Sequence, residues 1–266
     1  MNVKYMDLLK ELRIDCENCS GLCCVALCFR KSDGFPGNKS AGEPCEYLVS
    51  DFRCKIHSKL SDMNMKGCLN YDCFGAGQKV SNKIFNGQDW IKKPEISKDI
   101  FDVFIKVLQL HQVLWYLIQA ASISNDKNNI ETLDKYILEN NKITSLPYKD
   151  ILNYDLEEYR TNANKAIKRS FRFNPGQDKK DYIGKDFKRM NLDGKDFSMA
   201  FLIGANLEGC SLNSASFLGT DLRDVVVRNT DLSNSYFLTQ IQINSALGNK
   251  NTKIPLYLTR PVHWKN

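Results

Sequence analysis

The chain has 266 residues, of which 42% are hydrophobic and 26% charged, with a formal net charge of +6. This balance is that of a globular protein and excludes wholesale disorder, and the length allows one large domain or two to three small ones. The longest apolar run, Val113 to Ile118, is far short of a membrane span, and the first dozen residues are too charged for a signal-peptide core, which predicts a cytoplasmic protein with no membrane segment.

Residues 1–14 predict a short amphipathic helix with Met6, Leu9 and Leu12 or Arg13 on one side. Residues 15–94 lack sustained periodicity and are rich in turn formers. Nine of the ten cysteines fall here, at Cys16, Cys19, Cys23, Cys24, Cys28, Cys45, Cys54, Cys68 and Cys73. In a reducing compartment such thiols read as metal ligands rather than a disulfide framework. A Cys-x-x-Cys pair lets two thiolates reach one metal from a tight turn. Adjacent Cys23 and Cys24 diverge too much to share one tetrahedral ion, so they predict two centres, a multinuclear cluster, or a ligand beside a structural thiol. Nine thiols supply two sets of four with one left over. All-thiolate ligation fits zinc, iron or an iron–sulfur cluster, and spacing does not separate them. The predicted ligands are Cys16, Cys19, Cys23, Cys24, Cys45, Cys54, Cys68 and Cys73, with Cys28 and His57 as further candidates. The segment Asp72 to Gln78 has two glycines in the manner of a phosphate cradle, but it lacks the strand and the Lys/Ser of that motif and reads as a loop.

Pro94 opens a helix whose buried face carries Phe101, Phe104, Leu108, Trp115, Ile118 and Ala121. His111, near that stripe, reads as a satisfied core histidine. Asn125–Asn129 breaks the helix. A second helix is expected over about 130–141 and a third over 148–172, stopped by Pro175-Gly176.

From Ile183 the period becomes five. Phe187, Leu192, Phe197, Leu202, Leu207, Leu212, Phe217, Leu222, Val227, Leu232 and Phe237 are all apolar. Small or compact residues precede them by two, including Ala200, Ala205, Cys210, Ala215 and Thr220, and Asp or Asn often stands just before the centre, as at Asp186, Asn191, Asp196 and Asn206. Neither helix nor ordinary strand has this period, so the segment is a repeat. It resembles the pentapeptide-repeat family over about residues 183–239. The resemblance implies a right-handed quadrilateral parallel β-helix, with four pentapeptides per coil and the centres pointing inward. The expected architecture is therefore this β-helix preceded by an α-helical connector and a loop-rich metal-binding cysteine domain. The expected boundaries are 1–94, 95–180, 181–240, and a capping tail over 241–266.

The opening Cys16-x-x-Cys19-x-x-x-Cys23-Cys24, with the later Cys45-x-x-Leu48 and Cys54-x-Ile56-His57, resembles the YkgJ-type family of zinc- or iron-chelating domains. The resemblance covers about residues 16–75. It implies ligand roles for Cys16, Cys19, Cys23, Cys24, Cys45, Cys54 and Cys68, and leaves Cys28 and Cys73 outside the family core. Leu69 stands where that family often has Arg. Flagellin lysine-N-methylase is similar in its cysteine region. Two functions are compatible with this. One is a zinc- or iron-dependent enzyme, an oxidoreductase or transferase modifying a peptide or protein held by the repeats. The other is a non-catalytic interaction protein with structural zinc. A topoisomerase-protecting DNA mimic is disfavoured, since residues 183–239 carry six basic and seven acidic residues and form few coils. A peptide or protein partner is expected, rather than nucleic acid or membrane.

Overall fold

The computed structural model describes residues 3–171 and 181–264. The chain divides into two compact units. One comprises residues 1–68 and 72–171, the other residues 69–71 and 172–266.

The first unit holds both the cysteine-rich stretch and the long helices. Helix α1 (Met6–Glu11) is followed by α2 (Leu22–Ala26), α3 (Lys66–Asn70) and α4 (Ala76–Gln78), which runs on as a π-helical turn over Lys79–Ile84. Then come α5 (Ser97–Ile123), α6 (Lys127–Ile143), α7 (Tyr148–Asn153) and α8 (Leu156–Arg169). Helix α5 is the core of this unit and packs against α2, α4, α6, α7 and α8. With its leading turn from Pro94 it is long and apolar enough to cross a membrane on length and composition alone, but its apolar face is spent inside the protein, with Val103, Phe104, Val107, Leu110, Leu117 and Ile118 fully buried. Asp126 caps α6 by accepting from the amides of Asn128 and Asn129, so that helix starts earlier than its apolar pattern suggested. The third predicted helix is two. Tyr154 leaves the helical region, and the Asp155 carboxylate restarts the chain by accepting from Glu157 and Glu158. The expected stop at Pro175-Gly176 lies outside the described residues.

The second unit contains the repeats. All eleven centres from Phe187 to Phe237 are buried, as are the small residues from Ala200 to Ser235. The expected quadrilateral parallel β-helix is nevertheless corrected. Among the described residues there is no β-strand and no sheet, only isolated parallel bridges 20 residues apart, such as Asp186↔Asn206, Asp196↔Ser216 and Ser216↔Tyr236. The cause is local. Every fifth residue, from Gly184 to Asn229, has positive φ. The centre's carbonyl accepts from the amide three residues on, as in Ala200 to Phe197 (2.9 Å) and Ala205 to Leu202 (2.8 Å). A turn in every unit leaves one residue to bridge and none to extend the ladder. Five of these ten positions are glycine. Arg189, Met199, Ser214, Asp224 and Asn229 hold the others, at a cost of roughly 1–2 kcal/mol for a residue with a Cβ.

The Asp and Asn before each centre fasten the turn. Asp186, Asn191, Asp196, Asn206, Asp221 and Asp231 each accept from the amide two residues on. Inward hydroxyls of Thr220, Thr230 and Ser235 donate to the carbonyls of Phe197, Leu207 and Leu212 on the coil below. Cys210 Sγ does the same to Phe187 (2.9 Å), which makes it a buried structural thiol. After Phe237, α9 (Gln240–Ser245) begins with a Thr239/Gln242 capping box, and Gln242 Nε2 donates to the Phe217 and Thr220 carbonyls. Two further bridges follow, Val226↔Leu247 and Asp231↔Lys253, and Trp264 lies on Gly248 and donates to the Ala246 carbonyl.

Phe217 is fully buried and stacks on Phe197, with ring centroids 5.5 Å apart. Phe217→Asp is expected to remove at least about 3 kcal/mol of stability, because it leaves a cavity and an unpaired buried charge. Arg223→Glu, at a surface ion pair with Asp221, should cost about 1 kcal/mol or less. Equal thermal denaturation of Phe217→Asp and the parent would refute this packing.

Candidate metal centre

The first cysteines sit in consecutive short turns. Asp15 caps the 3-10 turn Cys16–Asn18, accepting from both the amide and the side chain of Asn18. Gly21, in the left-handed region, starts α2, which carries Cys23 and Cys24. The Cys45 amide donates to the Cys24 carbonyl (2.9 Å), which places the second group of cysteines beside the first. Residues 45–54 then fold back on themselves. Leu48 bridges Cys54 and donates to the Cys45 carbonyl. Cys68 lies on α3, and Cys73 immediately precedes α4.

The sulfur atoms are surrounded by donors. Cys19 accepts from the amides of Leu22 and Gly21 and from the Ser81 hydroxyl. Cys45 accepts from the Tyr47 amide, Cys54 from Ile56, and Cys73 from Gly77. Three of these four use the amide two residues further along, the geometry of a turn wrapped around sulfur. Such donors favour the thiolate. Burial opposes them. It raises the thiols of Cys19, Cys45 and Cys54, and pushes those of Cys68 and Cys73 up to about 12. Cys24 is the exception. Cys23, 3.8 Å away sulfur to sulfur, donates to it, and the nearby Lys39 ammonium adds to the fall in its pKa. Lys39 is held there by the carbonyls of Val25, Leu27 and Ser40.

Through-space repulsion between thiolates sorts them into two groups. Cys16, Cys19, Cys23 and Cys73 act on one another, as do Cys45, Cys54 and Cys68. Cys24 reaches both groups, and its backbone bond to Cys45 assigns it to the second. The adjacent pair thus divides between the two sets. The thiols are gathered rather than closed. Among the described residues, no three His, Cys, Asp or Glu side chains converge at ligand distance. All ten cysteines are free thiols.

The remaining candidates stand apart. Cys28 is exposed and belongs to neither set, though its charge reaches Lys39. His57 is exposed, and only its backbone amide bonds back, to the Cys54 carbonyl. His111 is buried. Its Nδ1 donates to the Phe74 carbonyl (2.6 Å), and burial lowers its pKa to about 4, so it is a neutral core residue.

The glycines between Asp72 and Gln78 have a use that sequence reading did not find. They form no phosphate cradle. A Cβ on Gly75 would stand 2.0 Å from the Glu11 carbonyl oxygen. One on Gly77 would meet Cys19 Sγ at 2.6 Å and Cys73 Sγ at 3.8 Å. Bare backbone at these two positions lets α4 lie against the end of α1 and against the first thiol set. The π-helical turn then clamps the loop that carries Cys16 and Cys19. Ser81 Oγ accepts from the Ser20 amide (3.0 Å), Asn82 Nδ2 donates to the Asn18 carbonyl (2.8 Å), and Trp90 Nε1 donates to the Ser20 carbonyl (2.9 Å).

Comparison with known proteins shows 41% identity to YybG of Bacillus subtilis (strain 168), described as an uncharacterized protein, over 96% of this chain and 95% of the relative. The chain belongs to the YybG family. The pentapeptide-repeat family also matches, with eight copies over residues 200–237. The likeness to YybG spans the cysteine-bearing unit as well as the repeats.

Gly77→Ala should destabilise the protein by about 1–3 kcal/mol through overpacking against sulfur. Gly37→Ala, whose Cβ would meet only Glu46 at 3.8 Å, should stay within about 0.5 kcal/mol of the parent. Matching melting curves for the two variants would contradict the close approach at Gly77.

Proposed function

We propose that the protein is a metalloprotein whose N-terminal unit binds zinc or iron, as single ions or as an iron–sulfur cluster, through two four-cysteine sets. The first set is Cys16, Cys19, Cys23 and Cys73, and the second is Cys24, Cys45, Cys54 and Cys68. The observation that carries this reading is the wrapping of sulfur by backbone amides at Cys19, Cys45, Cys54 and Cys73. Amide donors stabilise the charge of thiolates that would otherwise repel one another, and they orient the sulfurs as outer-shell partners orient metal ligands. The donor chemistry fits zinc and iron–sulfur centres equally. The resemblance of residues 16–75 to YkgJ-type domains supports the same reading.

When bound, a metal held by four thiolates cross-links its turns, and as an iron–sulfur cluster it also stores an electron. The chain's own part is to hold the thiolates. Arg53 helps by fastening the Cys16 and Glu17 carbonyls beside Cys54, and Lys39 places a positive charge at the second set. A set of four thiolates leaves no open position for a substrate, which favours a structural or electron-transfer role over Lewis-acid catalysis. The repeat stack then serves as a platform for a peptide or protein partner. An oxidoreductase or transferase acting on that partner is the second reading. It is favoured by the number of thiols, which is twice what one structural ion needs. Free thiols in this number fit a reducing, cytoplasmic setting.

Metal analysis of protein purified without oxygen tests the assignment. Cys19→Ser and Cys54→Ser should each lose about half of the parent's metal, and the double variant nearly all of it. Cys28→Ser and Cys210→Ser should retain it. Brown protein with iron and sulfide identifies a cluster, and colourless protein with zinc identifies the staple. The raised thiol pKa values mean that metal displaces protons, so retention should fall as the pH is lowered. A parent without metal, or single variants with full stoichiometry, would overturn the reading.

A further inference from the structure

The N-terminal unit contains a cleft of about 1000 Å³ that the metal reading does not use. Its walls are the end of α1 with the following loop, the π-helical turn after α4, and the α6–α7 connection over Thr144–Pro147, with His111 at its base. Every residue lining it lies within the first unit.

Its charge is unbalanced. Arg13, Lys79 and Lys83 all line it, and among the described residues none of the three has a carboxylate partner. Lys10, also on the rim, is paired with Asp7 (2.8 Å). The nearest acid, Asp15, is occupied as the cap of the Cys16 turn. Lys79 and Lys83 lie at the two ends of one turn whose π-helical winding brings residues four apart toward the same side. Turns of this kind occur often at functional sites. The cleft also has an unmet polar requirement. Gln78 donates its Nε2 to the Arg13 carbonyl (2.6 Å), while its Oε1 is buried without a hydrogen-bond partner. A buried acceptor left unpaired costs roughly 1–3 kcal/mol, so a ligand that supplies a donor gains by meeting it. Across the cleft, Ile14, Leu146 and Pro147 present apolar surface, with Ile14 45% exposed.

We propose that this cleft binds a small phosphate ester, one whose body carries a hydrogen-bond donor and an apolar ring. The three uncompensated cations take the phosphate. Gln78 Oε1 accepts from the donor, and the ring lies on Ile14, Leu146 and Pro147. This assignment is independent of which metal the thiols hold, since no cysteine lines the cleft.

The test uses the full-length, metal-loaded protein and isothermal titration with adenosine monophosphate, adenosine and inorganic phosphate. Adenosine monophosphate should bind at least tenfold more tightly than either fragment, and binding should weaken with added salt. Lys83→Glu, at an exposed position, should weaken it tenfold or more while leaving metal content and helical circular dichroism unchanged. Gln78→Leu should bind phosphate as the parent does but lose the advantage of the nucleotide over phosphate. Three results would each overturn the proposal. These are no heat from adenosine monophosphate at millimolar concentration, equal binding of adenosine and the nucleotide, and an unchanged affinity in a folded Lys83→Glu variant. Because metal content is read on the same samples, failure of the cleft is distinguishable from failure of the metal assignment.

Discussion

The contact on which the N-terminal unit depends is the close approach of α4 to the first cysteine turn. Gly75 and Gly77 bring bare backbone against the Glu11 carbonyl and the sulfurs of Cys19 and Cys73. From that contact the chain runs into a π-helical turn whose Ser81 and Asn82 hold the Cys16–Ser20 loop, and then to Trp90, which closes over Ser20. Residues 73–90 therefore act as a clamp on residues 16–20. Phe74 and Val80, buried beside α5, tie the clamp to the helical core. Without it the cysteine turns would rest on few regular hydrogen bonds, since this stretch contains only short helices and isolated bridges.

The repeats obey a different constraint. A turn in every five residues spends one backbone amide on closing the turn and leaves the others to bond between coils. The structure is thus a stack of turns around a column of Phe and Leu, not a sheet wound into a tube. Its polar groups are answered locally. Asp and Asn cap the turns outside, while Thr, Ser and the Cys210 thiol reach inner carbonyls. This second role for the small inward residues explains why Thr and Ser stand beside Ala at positions chosen for low volume.

Much of this was legible in the sequence. The period of five named every buried centre from Phe187 to Phe237, and the spacing of apolar residues placed α5. The cysteine spacing led to two sets of four with one left over. The adjacent Cys23 and Cys24 signalled the division. What stayed hidden depends on three-dimensional contact. Membership of each set joins residues as far apart as Cys16 and Cys73, and no local pattern records it. The β-helix expectation failed because residues such as Arg189 and Met199 occupy left-handed positions that their side chains do not advertise. The split between α7 and α8 turns on the Asp155 cap, which the apolar stripe ran straight through. The glycines at 75 and 77 were visible, but their partners were not.

The central claim is that eight thiols are held in two sets, with Cys28 outside both and Cys210 shielded by packing alone. Timed alkylation of native, metal-loaded protein, read by peptide mass spectrometry, tests this most directly. Cys28 should react first. Cys16, Cys19, Cys23, Cys24, Cys45, Cys54, Cys68 and Cys73 should remain protected until a chelator is added, and Cys210 should stay protected even then. Reaction of Cys19 and Cys54 as fast as Cys28 before chelation would contradict the account.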